Sequence, residues 1–303
     1  MIRLAVRVRR AEAEVVLAEL LELAPAGVEE GEPEPGIVEY AIYGAPGELP
    51  ELPDLQAAAG AALVEVSTSE VADDWSERWR RFHRPIWIEA PDATVPALYV
   101  RPPWEDPLER AAPEPGAGVE EAAVEGARVE EIVIDPGQAF GTGAHATTRL
   151  CLELLLRLAA ADPARGPLLD LGTGSGVLAI AAARLGFAPV TGFDHEAESV
   201  AATLANAEVN GVEVAAQRLD LRTQPLPPMD DALTGCVALA NLLFPLLMEL
   251  AGKLTDAPRQ LVVSGLLREQ VDEVVATFAE RLELREQHRL YGGEWAAAWL
   301  TRE

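Results

Sequence analysis

The segment Leu168-Leu169-Asp170-Leu171-Gly172-Thr173-Gly174-Ser175-Gly176 constrains the fold of this 303-residue chain more than any other stretch. An apolar strand breaks into a turn with glycine at every second position, and a helical run follows. Such a unit belongs to an open α/β sheet, whose ligands lie outside the carboxyl ends of the strands. Glycine tolerates positive φ there and lets a ligand come close to the backbone. The theme repeats downstream. Strands are expected at Ile132–Ile134, Pro167–Leu171, Val190–Phe193, Ala215–Leu219, Val237–Ala240 and Leu261–Ser264, with helices beginning near Thr147, Gly176, Glu198, Phe244 and Arg268. This alternation predicts an α/β fold, a doubly wound and mostly parallel sheet covered on both faces.

The glycines are spaced G-x-G-x-G and position 177 is Val. The dinucleotide pattern G-x-G-x-x-G therefore fails, and with no G-K-[ST] the turn is not a P-loop either. Asp194 closes the next strand 22 residues after Gly172. A carboxylate there suits ribose hydroxyls and would repel an adenosine phosphate, so a phosphate-free nucleoside fits better. Asp220, after the third strand, is placed to meet an adenine edge, and Asn241 closes the fourth strand at the same mouth. With Gly172 and Gly174 these residues point to S-adenosylmethionine rather than NAD. Structural roles compete at two of them, a helix cap for Asp194 and a turn for Asn241.

Ahead of this region, residues 1–68 read as a small α+β unit. Ile2, Leu4, Val6 and Val8 alternate as in a half-buried strand. Val15 to Leu23 then follows helical spacing up to Pro25 and Gly27. A weak strand at Val28–Glu30, a strand at Ile37–Tyr43, a helix at Leu55–Ala62 and a strand at Leu63–Val66 complete a β-α-β-β-α-β, ferredoxin-like order. Residues 69–90 are read as a linker built on a helix from Asp73 to Arg84, and 91–303 as the ligand-binding domain. Strands at Ile86–Ile88 and Ala97–Val100 precede a stretch at 105–131 that holds nine acids against Arg110 and Arg128. That stretch is expected to be an exposed, mobile acidic loop, because it lacks apolar surface to offset its ordering entropy.

Charge narrows the partners. The chain carries 24 Lys+Arg against 50 Asp+Glu, a formal net charge of −26. Affinity for nucleic acid rests largely on basic groups that neutralise phosphates, so no direct nucleic-acid partner is expected. The apolar stretch from Val237 to Leu250 is too short to span a bilayer, and Met1 to Arg10 has no apolar signal-peptide core. A cytoplasmic protein without a membrane partner, and a monomer, is the reading. Cys151 and Cys236 have neither zinc nor disulfide spacing, and no metal is expected.

The segment Asp135-Pro-Gly-Gln-Ala-Phe140-Gly-Thr-Gly-Ala-His145-Ala-Thr147-Thr148 resembles the signature of the ribosomal protein L11 methyltransferase family. So do Asp74-Trp75…Trp79, Arg101-Pro-Pro-Trp104, the glycine turn, Ala240-Asn241-Leu242, the run from Leu261 to Gln270 and the closing Gly293-Glu-Trp295. The matches run in one order from about residue 73 to the C-terminus. The resemblance implies a class I methyltransferase whose small N-terminal domain recognises the ribosomal protein while the larger domain methylates its amines. It also implies that Thr148, Gly172, Asp194 and Asn241 contact S-adenosylmethionine, and that Phe140 and Thr147 belong to a loop closing over it. Three places depart from the family pattern: His195-Glu196 after Asp194, a longer segment between Trp104 and Asp135, and Phe244-Pro245 after the Asn motif.

Methylation of an amine is an in-line displacement in which alignment and a neutral amine matter more than a strong acid or base. The Asn241 side-chain oxygen and a main-chain carbonyl such as that of Leu242 are the expected acceptors of the amine N–H groups. His145 is read as ordering its loop rather than as a general base, since proton transfer needs dedicated geometry. Other substrates for the same cofactor, namely another basic protein, a small amine or a nucleobase, are the second reading. The Asn-Pro-Pro-aromatic motif of nucleobase enzymes is absent. A cofactor-binding assembly scaffold is the third, and it has no need of Asn241 or the Thr147-Thr148 loop.

Overall fold

The computed structural model describes residues 2–13, 16–17, 20, 28–34, 36–44, 49–50, 52–70, 84–108, 128–135, 145–224, 226, 235–254 and 258–302. The chain divides into two compact units, Met1–Phe82 and His83–Glu303. The expected linker helix lies almost wholly outside the described residues.

In the smaller unit β1 (Ile2–Arg9), β2 (Glu29–Glu34), β3 (Ile37–Gly44) and β4 (Leu63–Glu70) form an antiparallel sheet in the order β2-β3-β1-β4. Helix α1 (Leu52–Ala59) precedes β4, and Ala13, Val16, Leu17 and Leu20 are helical between β1 and β2. This is the ferredoxin-like order. Alternation along β1 sends Leu4, Val6 and Val8 into a core with Val38, Tyr40 and Leu55, and the buried Tyr40 hydroxyl donates to the Ala13 carbonyl at 2.9 Å. Arg3 and Arg7, on the opposite face, reach Glu39 at 2.5 and 2.7 Å.

In the larger unit β8 (Leu168–Leu171), β9 (Val190–Asp194), β10 (Ala215–Arg218), β11 (Val237–Asn241) and β12 (Gln260–Leu267) run parallel. The seven-stranded sheet has the order β10-β9-β8-β11-β12-β14-β13. Its last two strands, β13 (Arg285–Gly292) and β14 (Trp295–Thr301), form an antiparallel hairpin inserted against β12. Alternate residues of the central strands feed two cores. Leu168, Val237, Leu239 and Val262 pack with α2 (Ala146–Ala161) and α3 (Val177–Arg184) on one face. Leu169, Leu171, Ala238, Ala240 and Val263 pack with α5 (Phe244–Lys253) and α6 (Val271–Leu282) on the other. Helix α4 (Ala197–Val209) links β9 to β10.

Two expectations are corrected. Val129–Val133 is a strand, β7, and it joins a separate three-stranded sheet with β5 (Ile86–Ile88) and β6 (Ala97–Arg101) rather than the large one. The acidic stretch is also shorter than 105–131, because Glu130 and Glu131 lie within β7. Their charge does not keep them in solution. Arg101 Nε donates to Glu131 at 2.5 Å and Arg184 stands 3.7 Å from Glu130, while Ile132 of the same strand is fully buried. Residues 109–127 lie outside the described residues.

Candidate active site

β8 sits between β9 and β11, so chain connections leave it in both directions. The carboxyl ends of β8 to β11 therefore open on the topological switch point where ligands of open α/β sheets bind. Gly172, Asp194, Asp220 and Asn241 follow or end those four strands.

Gly172, Gly174 and Gly176 all have positive φ, at 77°, 54° and 84°. A tight hydrogen-bonded turn results. Gly172 and Thr173 donate from their backbone N–H to the Phe193 carbonyl at 2.8 and 2.9 Å, and Gly176 N donates to Thr173 O at 2.8 Å. Polar side chains set the turn from beneath. The Thr203 hydroxyl donates to Gly174 O at 3.1 Å, and Asn206 Nδ2 donates to Ser175 O at 2.9 Å. Asn206 also exchanges hydrogen bonds with the Asp135 backbone, and Asn210 does the same with Val133, so α4 ties the turn to the exit of β7. The sequence reading missed these residues. Their signal is a polar stripe, Thr203, Asn206 and Asn210, at helical spacing on an alanine-rich helix.

Asp170 is a second residue the sequence reading passed over. Its Oδ2 accepts the Thr173 hydroxyl at 2.8 Å and the Ala179 N–H at 3.2 Å. Oδ1 is buried and has no partner among the described residues. Burial, opposed by these hydrogen bonds, pushes the carboxyl up to about 7.

Asp194 is 8% exposed at the mouth. Gly174 N donates to its Oδ2 at 3.0 Å and Glu196 N to its Oδ1 at 3.1 Å. An ionised carboxylate has about four acceptor sites; Oδ1 also stands 3.3 Å from His195 Nδ1, so the clearer capacity for a further donor is at Oδ2. A ribose hydroxyl fits there. Asp194 is not the cap of α4: that position is Glu196, and Asp194 only accepts its N–H just ahead of the helix. Asp220 is more committed: it takes the Arg222 backbone N–H at 3.0 Å and the guanidinium at 2.9 and 3.2 Å. The Arg222 side chain holds its carboxyl down to about 2.

Thr147 and Thr148 are buried in the first turn of α2, at 2% and 1% exposure. Thr147 thus stands in a helix rather than in a covering loop, and Phe140 lies outside the described residues. Asn241 Nδ2 donates to Thr148 Oγ1 at 3.4 Å. That bond fixes which way the amide faces and leaves its oxygen as an acceptor. Leu242 is 9% exposed, whereas Leu243, at the entrance of α5, is 70% exposed. His145 caps α2. Its Nδ1 accepts from Thr147 N at 3.4 Å and lies 2.8 Å from the Thr147 hydroxyl, and its ring meets Trp295 edge-on at 5.0 Å. A ring nitrogen used this way orders the helix start, while the loop that His145 is expected to order lies, at 136–144, outside the described residues.

Both cysteines are buried, and burial pushes Cys151 up to about 12 and Cys236 up to about 11. Thiols held protonated this way are inert. Among the described residues no cluster of His, Cys, Asp or Glu could hold a metal ion, and no helix is long and apolar enough to cross a membrane.

Comparison with known proteins bears on this site as a whole. A family model described as ribosomal protein L11 methyltransferase (PrmA) matches residues 51–303, which include all four strand ends. The ribosomal protein L11 methyltransferase of Geobacter sulfurreducens is 39% identical over 232 residues, 75% of this chain and 67% of that protein. The Shewanella sediminis protein of the same name is 37% identical over 216 residues, 70% of this chain and 63% of its own length. The chain thus spans about two thirds of the length of such relatives. A crystal structure of ribosomal protein L11 methylase from Lactobacillus delbrueckii subsp. bulgaricus superposes with a TM-score of 0.51 at 27% identity, covering 72% of this chain and 98% of that one. With its class I methyltransferase sheet and this match across most of its length, the chain belongs to the ribosomal protein L11 methyltransferase family of S-adenosylmethionine-dependent enzymes.

Proposed function

We propose that this chain transfers methyl groups from S-adenosylmethionine to amines of ribosomal protein L11, on lysine side chains or the N-terminus. The observation that carries the reading is the Asn241 amide, pinned through Nδ2 to Thr148 at the end of β11, one strand from the glycine turn. Gly172 and Gly174 with their backbone, and Asp194 with its spare acceptor capacity, are the residues that would hold the cofactor. Asp220 would add to the adenine side with the capacity Arg222 leaves it, and Phe140, Thr147 and Thr148 would complete the enclosure. Bound S-adenosylmethionine supplies a methyl group already activated by its sulfonium.

The protein's own work is alignment. A lysine amine titrates near 10.4 in water, so at neutral pH most of it is protonated and carries no lone pair to donate. Once the amine has shed its proton to solvent, Asn241 Oδ1 and the Leu242 carbonyl accept the N–H groups of the neutral form. They leave its lone pair directed at the methyl carbon, so that the N–C bond forms as the S–C bond breaks and the sulfur leaves as a neutral thioether. Holding reactants in line is worth several kcal/mol of barrier, enough that neither residue has to act as a base.

The acid excess supports a basic protein as the partner, met free of RNA in the cytoplasm by a monomer. Not every acid contributes to that surface. Glu39 is spent inside the small unit, where Arg3 and then Arg7 hold its carboxyl below the usual range. The test is Asn241→Ala assayed with purified L11. Turnover falls by about 100-fold while the fold survives. Near wild-type kcat in the variant would overturn the reading.

A further inference from the structure

Ser264 lies directly across from Asn241 in the β11–β12 ladder. Leu242 N donates to the Ser264 carbonyl at 3.1 Å, so the ladder continues one residue past the strand end. The fully buried Ser264 hydroxyl shares its proton between the carbonyls of Thr147, at 3.3 Å, and Ala296, at 3.2 Å. Beyond this point β12 leaves its register with β14, which slips between Val263 and Leu266. Gly265 occupies the slip with φ at +83°.

What stands over Gly265 is the Leu242 peptide. A Cβ on residue 265 would overlap the Leu242 carbonyl oxygen and lie 2.7 Å from its carbon and 3.1 Å from its nitrogen. Gly172 also meets Leu242, but differently: a Cβ there would come 2.5 Å from Leu242 Cδ2, the tip of a side chain that can rotate away. A peptide group held by the ladder has no such freedom. Leu242 is therefore seated between the cofactor-side turn, through its side chain, and the β12 bulge, through its carbonyl.

We infer that Gly265 is a positioning residue for methyl transfer: the glycine bulge lets the Leu242 peptide settle against β12, which aims the Leu242 carbonyl at the amine. This rests on the reading that Asn241 and Leu242 accept the amine N–H groups. Any side chain at 265 displaces the carbonyl that orients the nucleophile, whereas the backbone hydrogen bonds of the glycine turn, to Phe193 and within the turn, involve neither Gly265 nor Leu242.

Gly265→Ala and Gly265→Asn test it together. Asparagine adopts positive φ far more readily than alanine does, so the pair separates the Cβ overlap from backbone strain. Cofactor affinity is measured by calorimetry, and KM and kcat with purified L11. In both variants cofactor affinity and KM stay within about threefold of wild type while kcat falls by about 100-fold. A kcat within about threefold of wild type in Gly265→Asn overturns the inference. So does a loss of cofactor binding or of folding in both variants, because Gly265 would then serve the fold rather than the transfer. Asn241→Ala, run alongside, separates the two levels. If it retains turnover, the reading of the amine acceptors fails, whereas an inactive Asn241→Ala beside an active Gly265→Asn removes only the role of Gly265.

Discussion

Asp170 couples the glycine turn to pH. Its folded carboxyl titrates near 7, raised by burial from an ordinary value of 3.8, to which it returns in the unfolded chain. Between those values the folded state holds more protons than the unfolded one, so this group makes stability fall as pH rises. Asp170→Asn keeps the group neutral throughout. Thermal melts of the two proteins between about pH 5 and 8 should show the variant gaining on wild type as pH rises, and parallel curves would contradict the assignment. Residues at strand ends were legible in the sequence because the pattern changes there: apolar runs stop at Gly172, Asp194 and Asn241. Asp170, Ser264 and Gly265 were not, because each acts through a segment distant in sequence or through burial that the pattern does not reveal. Gly265 lies within a family-like run, yet nothing in that run says that its missing side chain makes room for Leu242.

At the scale of elements, the strand–helix alternation exposed five parallel strands and the helices that cover them. It did not expose the β13–β14 hairpin. β13 is largely solvent-facing, and β14 opens with Trp295-Ala-Ala-Ala-Trp299, so alanine weakens its strand propensity. β7 was found but assigned to the wrong sheet, since pairing with β6 depends on partners such as Arg101 and Glu131 brought together only by folding. The join between β7 and α4 is similar, resting on Asn206 and Asn210. Asn206→Ala strips partners from the Asp135 N–H and the Ser175 carbonyl. Each hydrogen bond is worth about 0.5–1.5 kcal/mol net, so stability in urea should fall by at least the lower figure. An unchanged midpoint would remove α4 from the support of the turn.

For the whole molecule the question is what a net charge of −26 does. Pairing does not reduce it: Glu39, Glu131 and Asp220 hold arginines, and each such pair adds little to any outward field while leaving the excess intact. That acid excess should draw in a basic protein, and steering of that kind weakens steeply with salt. Association rates with free L11 measured by stopped flow should fall at least several-fold between about 50 and 500 mM salt. A flat salt dependence would leave the charge with solubility alone. The central claim, methyl transfer to amines of L11, is tested most directly by incubating the wild-type protein with isotopically labelled S-adenosylmethionine and purified L11 and locating the label by mass spectrometry. Label is predicted on lysine side-chain or N-terminal amines of L11, entering about 100-fold more slowly when Asn241 is alanine, whereas an unlabelled L11 alongside a labelled second protein or small amine would contradict the claim.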